Sequence, residues 1–343
     1  WELLSTARIS TGRGVMARLL GMHALDGALL SSTASNGPDS TVSNGQVVAV
    51  VAGADDGLGR VLAFHVEHRE WRLGCMLSYH KSAILSTSGF AYKARRLVVT
   101  GGADGHVAVW DPTVALIQMR GVFDDVGPGS VGGRGGERRL ERSMLENQTR
   151  TVQPAQTWDR HGSGVNAAEV IASGQDGEYW LVTGGDDQRI KVMKMHVTGG
   201  EGSEPLQVSG SEELGAVERA HSSTIRGIAV VDNRAVVSVG ADQRVNVWSL
   251  PSLSLLASCV TEVCDASCLD VAAVRVPKAR SVAAVRVPSP PTQPTTQTAP
   301  HAPAEAPTPA ETPARNAEDN TDERMEVVAM IGGMGVQTLR FRV

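Results

Sequence analysis

Three sets of residues in this 343-residue chain have the types that activate a nucleophile: a histidine, a carboxylate and a hydroxyl. They are His80 with Thr100 and Asp104, His161 with Thr183 and Asp187, and His221 with Ser238 and Asp242. An imidazole held between an acid and a hydroxyl is the arrangement that generates an acyl-transfer nucleophile. Repetition points the other way. A catalytic site occurs once, whereas a device that builds a fold recurs in every unit, and here the His-to-Asp intervals are 24, 26 and 21 residues. We therefore expect structural networks, a chain without catalytic residues of its own, and no cofactor.

Two other constellations imitate chemistry. Gly127 to Gly132 fits the G-x-G-x-x-G spacing of dinucleotide sites, but a longer glycine tract follows it instead of a helix start. Gly53-Ala-Asp-Asp-Gly57-Leu-Gly59 follows a strand, and the strand resumes at Arg60, so it reads as a hairpin turn. Cys259, Cys264 and Cys268 lack paired C-x-x-C spacing and a fourth ligand, and are expected to be buried or half-buried thiols rather than zinc ligands.

The elements that carry the histidines repeat. Val98 to Trp110 has counterparts in Leu181 to Met193 and Val236 to Trp248, with a looser copy at Val48 to Phe64 and a degenerate one from Val327 through Phe341. In each clear copy a β-branched run reaches Gly and Asp, turns, and resumes with alternating apolar residues. A further apolar strand lies between each His and its hairpin, and the stretch before the next His is expected to supply a fourth. Composition agrees with a turn-rich β protein: 37 glycines, but only 13 residues of Phe, Trp and Tyr.

The pattern resembles the WD-repeat β-propeller family, whose units are four-stranded sheets. Trp110-Asp111 matches the dipeptide that names it. The resemblance implies that His80, Thr100, Asp104 and Trp110 form one buried hydrogen-bond network, and His221, Ser238, Asp242 and Trp248 another. His161, Thr183 and Asp187 form a third, less tightly tied because Met193 stands where the Trp would be. The expected fold is an all-β WD-repeat propeller, incomplete in this chain, with units at 15–66, 77–119, 158–198, 220–257 and 264–274 plus 325–343.

Within the propellers, His161 to Ala167, Trp180 to Asp187, Ala220 to Trp248, Cys264 to Val271 and the closing Val327 to Phe341 are similar in order to one family. That family is the WD-repeat partner subunit of the tRNA wobble-nucleotide 2'-O-methyltransferase. The resemblance implies a non-catalytic scaffold. Its partner would be the methyltransferase catalytic subunit, with tRNA met through the complex, and the donor S-adenosylmethionine would belong to that partner. Family members are longer, so a C-terminal fragment is expected, as is the start at Trp1 rather than Met. The competing reading is a generic interaction hub, such as a ubiquitin-ligase substrate receptor or trafficking scaffold.

Two insertions interrupt the repeat. Residues 120–157 are rich in Gly and Arg, and Arg134, Arg138, Arg139 and Arg142 are the candidate RNA-phosphate contacts, partly offset by Glu137 and Glu141. Residues 275–324 hold ten of the sixteen prolines, from Pro277 to Pro313, and lack the apolar surface needed for order. The formal net charge of -5 argues against a nucleic-acid-coating protein. Few cysteines and no export or spanning segment make the cytoplasm the expected compartment, away from the membrane.

Overall fold

The computed structural model describes residues 19–25, 47–65, 70–117, 150–201, 205–277 and 323–342. Nineteen strands among these residues form five sheets. Sheet B, the first, takes β1 (Leu19–Leu25), β2 (Val47–Ala54), β3 (Leu58–His65) and β4 (Glu70–Ser78), with the short β8 (Thr151–Val152) added on its edge. Sheet C takes β5 (Ile84–Tyr92), β6 (Arg95–Gly102), β7 (His106–Trp110) and β9 (Gln156–Asp159). Sheet D is β10 (Val165–Ala172), β11 (Glu178–Gly185), β12 (Ile190–Thr198) and β13 (Gln207–Val217). Sheet E is β14 (Ile225–Val231), β15 (Ala235–Gly240), β16 (Arg244–Ser249) and β17 (Leu255–Val260). Sheet F pairs β18 (Cys264–Pro277) with β19 (Glu323–Arg342). The fold is all-β and propeller-type.

Each pair of successive sheets shares one apolar core. Trp110 of C, and Leu116 in the short helical turn that follows it, pack with Val51, Val61 and Leu77 of B. Val99 and Val107 of C meet Val165, Leu181 and Met195 of D. Val182 and Ile190 of D meet Ile225 and Trp248 of E, and Val237 and Val247 of E meet Val327 and Ile331 of F. A middle strand is therefore buried on both faces, which is why β6 and β15 read as near-continuous runs of Val and small residues instead of alternating.

The inner strands β1, β5, β10, β14 and β18 stand side by side in that order. All five carry a register shift near their start, between Leu19 and Gly21, Ile84 and Ser86, Val165 and Ala167, Ile225 and Gly227, and Cys264 and Cys268. Such a bulge bends a strand and increases its twist. Side chains near it bridge sheets: the Ser86 hydroxyl donates to the Val165 carbonyl at 3.1 Å, and the Asn166 amide donates to the Ile225 carbonyl at 3.0 Å.

The insertions differ from the sequence reading at their ends. The segment read as 120–157 gives its last residues to structure: β8 runs parallel to β4, with Met76 opposite Thr151, and β9 is the outer strand of sheet C. Both strands are too short for a periodic signal, and only the unfilled edge of sheet C places β9. Sheet C accordingly extends past the expected end at residue 119, and the strand before His80 belongs to sheet B. In the segment read as 275–324, Arg275 to Pro277 pair with Met325, Arg324 and Glu323, so pairing continues past both ends. The degenerate copy is one element, β19, paired with β18 as far as Met334, with Gly335 at φ 130° just past that pairing.

Candidate functional site: the histidine and aspartate networks

Each histidine sits in the connection from one sheet's outer strand to the next sheet's inner strand, and each aspartate lies in the hairpin turn of that second sheet. In sheet E, His221 Nδ1 lies 3.0 Å from Asp242 Oδ1, and Nε2 lies 2.8 Å from Ser238 Oγ. The Trp248 indole N–H donates to the same hydroxyl at 2.9 Å. Sheet C repeats this: His80 to Asp104 at 3.1 Å, His80 to Thr100 at 2.8 Å, and Trp110 to Thr100 at 2.9 Å. In sheet D, His161 reaches Asp187 at 2.8 Å and Thr183 at 2.9 Å. Met193 pairs opposite Leu181, as Trp110 pairs opposite Val98, so it occupies the indole's place without a donor.

The carboxylates do more than orient a ring. Each accepts from the backbone N–H after its histidine, of Lys81, Gly162 or Ser222, at 3.0, 3.1 and 2.8 Å. Each also accepts from the residue two past itself, His106, Arg189 or Arg244, at 3.2, 3.2 and 3.1 Å. One side chain thus fixes the incoming connection and the start of the third strand together. Burial alone would raise these carboxyls, but the backbone donors and the imidazole outweigh it and hold all three below the usual Asp value.

Burial dominates at the histidines and, against the pull of the aspartates, lowers all three below the ordinary imidazole value. The rings are therefore neutral near pH 7. The Asp-facing Nδ1 carries the proton, and Nε2 accepts from the hydroxyl. That is also the tautomer of a catalytic triad. What distinguishes these sites is access: Thr100, Thr183 and Ser238 are 0% exposed, and two of the three hydroxyls are capped by an indole. A substrate carbonyl has no approach to them, and the networks satisfy buried polar groups instead.

The glycine two residues before each aspartate has a steric reason that spacing alone did not show. A Cβ on Gly102, Gly185 or Gly240 would fall on the imidazole of His80, His161 or His221. The position after the aspartate is left-handed, with Gly105 at φ 81° but Gln188 and Gln243 at 68° and 59°.

Sheets B and F are tied by residues the sequence reading did not select. Arg60, 3% exposed, reaches back to Asp56 in the preceding turn with two bonds, Nη2 to Oδ2 at 2.6 Å and Nη1 to Oδ1 at 3.1 Å. Ala52 stands where Thr100 stands in sheet C, so an Arg–Asp fork replaces the hydroxyl-based tie. In sheet F the Gln337 carbonyl accepts from the Thr261 hydroxyl at 2.6 Å and from the Glu262 N–H at 3.0 Å. A charged residue inside an apolar strand, as at Arg60, was the available signal for the first; Gln337 gave none.

The remaining candidates separate. Gly57, at φ 79°, turns β2 into β3 as expected of a hairpin. Cys259 is half-buried, but Cys264 and Cys268 are exposed, which corrects their reading as buried thiols: the sheet F edge leaves them uncovered. Among the described residues, no three His, Cys, Asp or Glu side chains are grouped to hold a metal ion. Also among these residues, no helix is long and apolar enough to cross a membrane. Arg134, Arg138, Arg139 and Arg142, and the Gly127 to Gly132 tract, lie outside the described residues.

Comparison with known proteins agrees with this geometry. The family model for the WD domain, G-beta repeat, matches residues 71–111. That span begins in the outer strand of sheet B and ends just past the third strand of sheet C, so one sequence repeat staples two sheets. The chain is 26% identical over 218 residues to the tRNA (34-2'-O)-methyltransferase regulator WDR6 of Mus musculus, and 25% identical over 214 residues to that of Homo sapiens. Each alignment covers 59% of this chain and 17% of the relative, so the chain spans a small part of the length of these proteins. The chain carries WD repeats of the propeller type and is distantly homologous to these WDR6 methyltransferase regulators.

Proposed function

We propose that the chain is part of a non-catalytic WD-repeat scaffold that binds a tRNA 2'-O-methyltransferase and helps present the tRNA wobble nucleotide to it. The similarity to WDR6 regulators over 59% of the chain carries this reading. The geometry supports it: the repeated His, Asp and hydroxyl sets are consumed by buried networks, leaving sheets that hold shape rather than react. A scaffold of this kind accelerates its partner's chemistry by positioning. The methyl donor belongs to the partner, and the complex works in the cytoplasm.

Affinity purification of the full-length protein tests the reading directly. The expected result is co-purification of a methyltransferase, together with loss of wobble 2'-O-methylation when the gene is deleted. Unchanged methylation in every tRNA overturns it, and recovery of ligase or coat subunits in place of a methyltransferase supports the general-hub alternative.

A further inference from the structure

The outer strands differ in how they guard their free edges. An unpaired edge presents a row of backbone N–H and C=O groups to any other chain, and charge, bulges or a covering segment normally blunt it. Strand β4 is partly covered by β8, β9 is four residues long and ends on Asp159, and β13 carries Glu212 and Glu213 with two register shifts. From Leu256 to Val260, strand β17 has none of these. It is the last strand of sheet E, and Ser249 to Thr261 contain no charged residue. Leu255, Leu256 and Val260 are 55%, 49% and 62% exposed, so three aliphatic side chains stand open along one edge strand.

The backbone of β17 sets how a strand can add to it. The Thr261 N–H donates to the Gln243 carbonyl at 2.8 Å, on the β16 side. Successive residues face opposite edges, so Cys259 and Ala257 also turn their backbone groups to β16, while Val260, Ser258 and Leu256 turn theirs to the free edge. A second β17 adding antiparallel has to set these three against its own three. With a two-fold axis at Ser258, Leu256 lies opposite Val260 of the second copy, Val260 opposite Leu256, and Ser258 opposite itself, each pair exchanging two backbone hydrogen bonds. The neighbouring registers are poorer. An axis at Ala257 sets Leu256 against Ser258 and Val260 against Ser254, and an axis at Cys259 sets Leu256 against Glu262.

We propose that β17 is a self-pairing edge, through which two copies of this chain join their E sheets into one continuous antiparallel sheet. Leu256 and Val260 cover each other across the junction, and no like-charged residues of β17 meet there, whereas the same pairing on β13 would bring Glu212 and Glu213 up to their own copies. One short strand falls below the roughly 1,000 Å² of a stable interface, so the pair is reversible, with a dissociation constant on the order of 100 μM. Among the described residues, the charge that reaches β17 is Arg244, which is exposed and donates to Ser258 Oγ at 3.4 Å. Two such guanidiniums approach each other across the axis, and salt screens their repulsion. The pairing goes beyond the methyltransferase reading and does not depend on it.

The test is sedimentation of the full chain over about 1 to 300 μM, a range that brackets the expected constant. Wild type should pass from monomer to dimer. Because Ser258 is exposed and lies on the axis, Ser258→Lys and Ser258→Glu should each fold normally yet stay monomeric, like charges standing directly opposite. An equimolar mixture of the two should dimerise at least as tightly as wild type, Lys then facing Glu. Raising salt should tighten the wild-type pair about threefold by screening Arg244. The proposal is overturned by a wild type that remains monomeric throughout, by charged variants that dimerise like wild type, by a mixture that stays monomeric, or by a pair that salt weakens. Amide hydrogen exchange on the unmodified chain gives a second reading. The Leu256, Ser258 and Val260 amides should slow as concentration rises, and rates independent of concentration overturn the pairing.

Discussion

Sheets C and D are neighbours built on one plan, yet one carries Trp110 where the other carries Met193. The expectation was a looser tie in D. Sheet D lacks the indole's bond, but the bonds it shares with C are not longer: His161 is as close to its aspartate and hydroxyl as His80 is to its own. The indole therefore does not position the imidazole. It adds one more bond to a hydroxyl already placed by the ring, and it fills space between sheets B and C. In D that space is filled by Met193, which is 5% exposed, and the hydroxyl simply goes without its second partner. The His–Asp–hydroxyl part is the common element, and the tryptophan is an addition to it.

The strongest way to break this comparison is at the aspartates. Asp104→Ala and Asp187→Ala should each cost about 3 kcal/mol, because each leaves a buried imidazole and two backbone N–H groups without an acceptor. The comparison requires the two losses to be similar, as read by denaturant midpoints. A much smaller loss in D would restore the looser-tie view.

Next in size are the hydroxyls. Thr100→Val removes the partner of both His80 and Trp110, whereas Thr183→Val removes that of His161 alone. The first should cost about 1 kcal/mol more than the second, roughly one buried hydrogen bond. Equal costs would mean that the indole bond contributes nothing.

Acidification should act on both sheets alike. The unfolded histidines take up protons below about pH 6.5, while the buried folded ones, whose values are lowered, resist. Stability is thus complete above the unfolded value and declines as pH falls from about 6.5 toward 5. The Glu169 carboxyl on β10, raised by burial against the bond it accepts from Ser88, runs the opposite way over much of that range, so the melting temperature is best followed in Glu169→Gln, where a steeper fall on acidification is expected. A flat profile in that variant would contradict neutral buried rings.

The smallest effect concerns the turns. Gln188→Gly and Gln243→Gly relieve left-handed strain at a cost in unfolded-state freedom, and each should change stability by less than about 1 kcal/mol. A large loss would show that the glutamine side chains do more than fill the turn.

Much of the candidate site was legible because the networks obey a period. A His, a hydroxyl on the second strand and an Asp in the turn recur at near-constant intervals, and each role depends on a residue type that only a few side chains can fill. Where the role passed to another chemistry, the signal vanished. Arg60 reaching back to Asp56 and Gln337 meeting Thr261 perform comparable ties with side chains that are common on any strand. The short β8 and β9 were hidden for a different reason: two and four residues carry no periodicity, and both follow directly on a Gly- and Arg-rich tract.

The sequence by itself determined the β class, the repeating unit and the three histidine networks, because alternation, turn residues and hydrogen-bonding types are properties of neighbours along the chain. Only the tertiary structure decided which sheet each outer strand completes. Nor could the sequence show that His23, Ser88, Glu169 and Asp270 share one level of the inner row. That level is set by pairing register and by sheets packing face to face across many residues of separation, and a chain read residue by residue carries no measure of that distance.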